Sequence, residues 1–190
     1  LAFFIIAAML LFIMKIGYHV FSLFGVSNKN DNTEITILWK ENGEVINNLK
    51  IDLKCTDLSI KTGNKLLVET NNSSIKYEQE ADMLNIIEKK NNCLSNKKRK
   101  LIVTIPESLK FDNVDVDGGA GTVNIDNLDS KKIEFDLGAG DTIIKNINTD
   151  EIKMNTGAGS LKINNGIINN LDLDLGVGKT SIVAQILGNS

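Results

Sequence analysis

Asp117, Asp136, Asn155 and Asp174 recur at intervals of 19 residues, and Asp115, Glu134, Lys153 and Asp172 run two positions ahead of them. Carboxylates repeated at a fixed interval are candidate ligands for a hard cation, since calcium takes several carboxylate and carbonyl oxygens. Like charges stacked at strand spacing otherwise repel by on the order of 1 kcal/mol even in water. Such a row either tolerates the repulsion or recruits cations. The candidate cation face is therefore Asp115, Asp117, Asp136, Asp172 and Asp174, set against the plainer reading of a solvated acidic face that keeps the chain soluble.

Other chemistries fit less well. Gly176-Val-Gly-Lys-Thr180 resembles the end of a phosphate-binding loop, but Leu173 stands where that motif needs its first glycine, and Thr180-Ser-Ile-Val continues as strand rather than helix. Calcium-binding nonapeptide repeats need Asp two places after the second glycine of their motif, where this chain has the inward Val123. The single histidine, His19, lies in or beside an apolar N-terminal stretch. The remainder thus has no histidine for a Ser-His triad, a Cys-His pair or a zinc site. Flat rows of carboxylates do not form the cleft that a glycosidase pair requires. One enzyme reading stays open, a calcium-dependent polysaccharide-active β-helix using Asp-bound metal and a basic residue. No catalytic residue and no cofactor are expected.

The acidic rows owe their spacing to a repeat. Gly119-Ala-Gly121, Gly138-Ala-Gly140, Gly157-Ala-Gly159 and Gly176-Val-Gly178 return every 19 residues, and each is followed by an isoleucine at Ile125, Ile144, Ile163 or Ile182. A period near 20 means one structural unit stacked on its neighbours. Val123, Thr142, Leu161 and Thr180 alternate with the isoleucines, and a second alternating stretch precedes each glycine pair, as in Ile133-x-Phe135-x-Leu137. Period-two alternation is the signature of a strand with one buried face.

Each coil should therefore carry two strands of about five residues, joined by a Gly-x-Gly corner and by a turn of roughly seven residues. Asn127, Asn146 and Asn165 fall in that turn, where Asn suits left-handed backbone geometry and stacked amides can bond from coil to coil. The expected fold is all-β: a parallel β-solenoid of the single-stranded β-helix type with about 19 residues per coil. Right-handed winding is the expectation, because parallel crossovers strongly favour it.

Residues 33–110 read as an irregular β segment, either the first imperfect coils or a cap, with strands at Glu34 to Trp39, Leu49 to Leu53, Leu66 to Val68, Met83 to Ile87 and Leu101 to Pro106. A cap is physically expected, because a solenoid end presents unpaired edges. Residues 111–190 are the regular repeats. They stop one glycine pair short of the next unit, so further coils or a second cap are expected beyond Ser190.

With 190 residues, 42% hydrophobic content and a net charge of −3, the chain has enough apolar material for a real core and no electrostatic reason to bind nucleic acid. Six Lys against twelve Asp and Glu fall in residues 111–190, while Lys89, Lys90, Lys97, Lys98, Arg99 and Lys100 cluster just before them. That basic run reads as a solvated Asn-rich loop, with contact to anionic envelope polymer or lipid as its functional alternative.

Residues 1–26 are apolar apart from Lys15 and a few polar-capable side chains. They are long enough for an uncleaved transmembrane anchor, with a cleaved signal segment as the competing reading. Either sends the remainder across the membrane, where a disulfide between Cys55 and Cys93 is chemically allowed but not given by spacing. Cys55, in an alternating stretch, reads better as a small buried apolar residue, and Cys93 falls in the basic loop.

The apolar N-terminus, the Leu101-Ile-Val-Thr-Ile-Pro106 strand and the Gly-Ala-Gly units followed by Ile-x-Asn together resemble a family of bacterial β-strand-repeat envelope proteins known as "putative adhesins", a domain of unknown function. The resemblance implies a membrane-attached protein at the cell surface and supplies no catalytic residues. The expected role is a non-catalytic, extracytoplasmic surface or adhesin-like module, contacting the membrane through residues 1–26 and wall polymer or envelope proteins through its β domain. An envelope-stress sensor or accessory domain is the alternative of a different class.

Overall fold

The computed structural model describes residues 34–89, 93 and 98–188, which fall within one unit, Asn32–Ser190. The first seven strands are β1 (Thr36–Lys40), β2 (Asn48–Leu53), β3 (Asp57–Gly63), β4 (Leu67–Thr70), β5 (Ile75–Glu80), β6 (Met83–Glu88) and β7 (Lys100–Pro106). The repeats supply β8 (Phe111–Ala120), β9 (Val123–Ile125), β10 (Leu128–Ile144), β11 (Ile147–Ile163), β12 (Gly166–Ile182) and the two-residue β13 (Gln185–Ile186). All are hydrogen-bonded into a single sheet, and no helix occurs among the described residues.

The repeats stack as the 19-residue period requires. β10 pairs in parallel with β11 from Leu128↔Ile147 to Ile144↔Ile163, and β11 pairs with β12 in the same register, so every residue lies beside its equivalent in the next coil. Identical pairing puts like side chains in columns. Ile125, Ile144 and Ile163 are buried in one column, and Val116, Phe135 and Met154 in another across the narrow interior. The result is an all-β, solenoid-like sheet wound around one continuous apolar core.

Two expectations about the coil are corrected. The anticipated pair of five-residue strands is one strand of 17 residues that passes through the glycine corner with its ladder nearly unbroken. The anticipated seven-residue turn shrinks to Lys145-Asn146 between β10 and β11, because the turn residues supply a third inward face. Leu128, Ile147, Ser130, Thr149 and Ile168 are all buried there. Ser130 and Thr149 give this face a polar look in the sequence, yet each hydroxyl donates to a backbone carbonyl two residues on, at Lys132 and Glu151, with distances of 2.8 and 2.9 Å.

Asn127, Asn146 and Asn165 are not left-handed either. Among the described residues Ala81 is the one non-glycine with positive φ, and it sits in the tight turn between β5 and β6. The asparagines work instead as a ladder, Asn146 Nδ2 donating to Asn127 Oδ1 at 2.5 Å, while their carbonyls at 146 and 165 accept from Leu128 and Ile147 at 3.2 Å.

The glycine corners are steric necessities. A Cβ on Gly140 would lie 1.8 Å from the carbonyl oxygen of Gly121. Backbones approach this closely only where no side chain intervenes.

The N-terminal strands complete the stack out of chain order. β2 and β3 form a coil beneath the repeats, with β2 paired to β8 and β3 to β9. The next coil in the chain, β6 and β7, lies on the other side of β2 and β3. Beyond it the sheets finish in antiparallel strands, β4 and β1 past β7, and β5 past β6. Trp39 Nε1 on β1 donates to Gln79 on β5 at 3.0 Å, tying the two sides together. The described strands from Thr36 to Pro106 form two irregular coils and an antiparallel end, and they include β3 and β5, which the strand reading passed over. The expected transmembrane segment, residues 1–26, lies outside the described residues, among which no helix is long and apolar enough to cross a membrane.

Candidate functional site

Strand alternation dictates what the long face of the solenoid presents. With Val114 and Val116 inward on β8, Asp115 and Asp117 must point out, and parallel register carries this through every coil. Asp117 pairs with Asp136, Asp136 with Asn155, and Asn155 with Asp174, as the repeat spacing demands. The column also extends backwards to Asp52 on β2, opposite Asp117. Sequence reasoning missed Asp52 because it lies outside the 19-residue register.

The neighbouring column resolves the expected charge conflict with lysines. It reads Lys50, Asp115, Glu134, Lys153, Asp172. Lys50 donates to Asp115, and Lys153 lies 3.6 Å from Glu134. A third column adds Lys132 beside Glu151 at 3.4 Å, and Lys54 bonds Asp52 at 2.6 Å. The hydrogen bond to Asp115 holds the Lys50 ammonium above its ordinary pKa against the opposing effect of desolvation, with Asp117 adding to the upward pull. Lys54 is raised in the same way, by Asp52 first. Repulsion along the neighbouring column is thus answered by interleaved lysines of the chain itself, while the Asp117 column has one only at its Asp52 end.

Asp117, Asp136, Asp172 and Asp174 remain exposed, without an ion pair among the described residues. They stand in line on a sheet rather than around a point. Among the described residues no group of three or more His, Cys, Asp or Glu is placed to hold a metal ion. Calcium takes six to eight oxygens at about 2.3–2.6 Å, a convergence that a row on one sheet does not supply.

A second polar cluster lies at the cap, where no spacing rule pointed. Register places Cys55 opposite Ala120, so Lys54-Cys55-Thr56 is the equivalent of a Gly-Ala-Gly corner. Its outward neighbour is the buried carboxylate of Glu88, whose Oε2 accepts from the backbone N–H of Lys54 at 2.8 Å and of Cys55 at 3.0 Å. Asn72 Nδ2 donates to Glu88 Oε1 and to Thr56 Oγ1 at 2.8 and 2.9 Å, and Arg99 approaches Oε1 to 3.8 Å. Glu88 finishes the corner ladder with carboxylate oxygens in place of carbonyls.

Cys55 is disulfide-bonded to Cys93, with Cα atoms 5.2 Å apart. This corrects the reading of Cys55 as a plain buried apolar residue. Its strand-like surroundings end at Leu53, and at the corner its side chain is half-buried, within reach of a partner.

A cavity of about 20 Å³ runs beneath the glycine corners, lined by Leu53, Thr56, Val116, Leu137 and Thr142 among others. That is room for little more than one water. Around the last coil, Asn146, Asn148, Asn165, Ile167, Val183 and Gln185 border an open depression.

These features define an all-β repeat protein whose distinctive surface is a set of charged columns and whose first coils are closed by a polar, disulfide-tied cap. The model of the family Toastrack DUF4097 matches residues 25–186, and the chain belongs to that family. It is similar to a "putative cell adhesion protein" from Clostridium sporogenes ATCC 15579, at 17% identity and a TM-score of 0.43, over 80% of this chain and 98% of that one. It is also similar to a "putative adhesin" from Bacteroides fragilis NCTC 9343, at 13% identity and a TM-score of 0.39, over 84% and 99%. Comparison with curated proteins gives no match.

Proposed function

We propose that the protein is a non-catalytic, extracytoplasmic interaction module of the cell envelope, held at the membrane through residues 1–26 and using the outward face of β2, β8, β10, β11 and β12 for contact. The observation that carries this reading is the unbroken register of that face, which repeats Asp52, Asp117, Asp136 and Asp174 in a row with one Asn155 between the last two. Parallel strands lie about 4.8 Å apart, so the row offers acceptors at regular intervals on a stiff support. Such a surface suits an extended envelope polymer bearing cationic or hydroxyl groups, met at several points at once.

The Cys55–Cys93 disulfide supports the compartment, since disulfides persist in oxidising surroundings and are rare in the cytosol. The apolar composition of residues 1–26 supports the anchor.

The test is calorimetric titration of the detergent-solubilised chain with purified wall polymers, in calcium and in chelator, repeated on the triple variant Asp117→Asn, Asp136→Asn, Asp174→Asn. Saturable binding that the triple variant loses supports the reading. A flat titration for both proteins overturns it and leaves the columns a solubility device.

A further inference from the structure

The polar cap is tied by one covalent link, the Cys55–Cys93 disulfide. The Cys93 end of the disulfide is exposed, whereas Cys55 is half-buried at the corner with its N–H bonded to Glu88. Exchange proceeds by attack of a thiolate on an accessible sulfur, and of the two sulfurs that of Cys93 is on the exposed residue. The corner is held in three ways: by the Glu88 carboxylate on the Lys54 and Cys55 amides, by Asn72 on Thr56, and by the covalent link. Loss of the third leaves the other two in place.

We propose that Cys55–Cys93 is a thiol–disulfide exchange site for a dithiol reductant and acts as a latch on the cap. A reductant thiolate attacks Cys93 Sγ, forming a mixed disulfide and releasing Cys55 as thiolate, which takes up a proton. The second thiol of the reductant then attacks the reductant's own sulfur in the mixed disulfide. Cys93 leaves as a thiol, and the reductant departs as its cyclic disulfide, so two electrons and two protons pass to the protein. Reduction frees the corner from its covalent tie, and the amides of Lys54 and Cys55 then open more often, while β10 and β11 keep their ladder. This latch is independent of polymer binding by the charged face.

The test exposes the full-length chain in detergent to dithiothreitol without denaturant. Thiols are trapped with iodoacetamide for mass spectrometry, and amide hydrogen exchange is followed in parallel. The expected result is labelling of both cysteines in the folded protein, with exchange at Lys54 and Cys55 faster by about tenfold or more and exchange in β10 and β11 unchanged. Cys93→Ser should show the fast pattern with and without reductant. Labelling only after denaturant is added, or unchanged exchange at Lys54 and Cys55 once both thiols are labelled, overturns the proposal. Because the wild-type protein is reduced after folding, the outcome stands even if Cys93→Ser folds poorly.

Discussion

Gly159 lies so directly over Gly140 that a Cβ on the first would stand 1.8 Å from the carbonyl oxygen of the second. The obstacle is backbone, which cannot swing aside, and Gly159 also has a φ of 147°, where side chains are strained.

Gly159→Ala is therefore expected to cost about 3 kcal/mol or more, in the range of severe backbone and packing defects. Ala158→Val, one residue earlier, should change stability by less than about 0.5 kcal/mol, because Val177 already occupies the equivalent position in the next coil and is 82% exposed. Urea unfolding of both variants checks the contrast, and equal losses would refute a corner set by sterics.

Removing the Glu88 side chain strands several partners at once. Glu88→Ala leaves the Lys54 and Cys55 amides, Asn72 and Arg99 without their shared acceptor and should destabilise the chain by about 3–5 kcal/mol. Glu88→Gln keeps one acceptor oxygen and should cost clearly less. Thermal melts of the two variants would separate them, and a negligible effect of Ala would show that the network is dispensable.

Core columns predict a graded response. Phe135→Ala should cost about 3–5 kcal/mol and Ile163→Val about 0.5–1.5 kcal/mol, since both side chains are fully buried and the first deletion leaves the larger void. Denaturant midpoints at constant slope would confirm the ranking.

The alkaline limb of stability should carry a small signature of Lys50. Its pKa is raised above 10.5 in the folded chain by Asp115, so the ion pair contributes fully below that value and is lost as pH rises through the folded pKa. The pair is about half exposed, with side chains 47% and 40% accessible, which limits the contribution to about 0.2–1 kcal/mol. Lys50→Met should flatten stability between pH 10 and 12 by that amount, measured by urea titration at each pH. An unchanged slope would mean that solvent screens the pair completely.

What the sequence made legible was whatever repeats locally. Between Phe111 and Ile182 each pair joins residues 19 places apart, so the period alone gave the register, the inward isoleucines and the acidic columns. The third face was obscured because Ser130 and Thr149 look like turn residues while being buried against backbone carbonyls. The N-terminal coils were harder still. Asn48 pairs with Met83 and Asp57 with Lys100, offsets of 35 and 43 that match neither each other nor the repeat. Asp52 and Lys50 joined the charged face, and Cys55 met Cys93, only through that irregular stacking, which no local pattern encodes.

The out-of-order coil has a bearing on how such chains change in length. Because β6 and β7 turn back beneath β2 and β3, the cap is complete by Pro106 and has no stake in how many units come later. Each unit is joined to the next by a two-residue link such as Lys145-Asn146 and meets only its neighbours. A duplication of 19 residues at that link adds one rung to each repeat column, and the inserted coil can make the same kind of contact on both sides. Slippage in the encoding DNA would thus make longer or shorter versions of the same protein in whole steps. The length of the repeat stack can therefore vary far more readily than the shape of the cap.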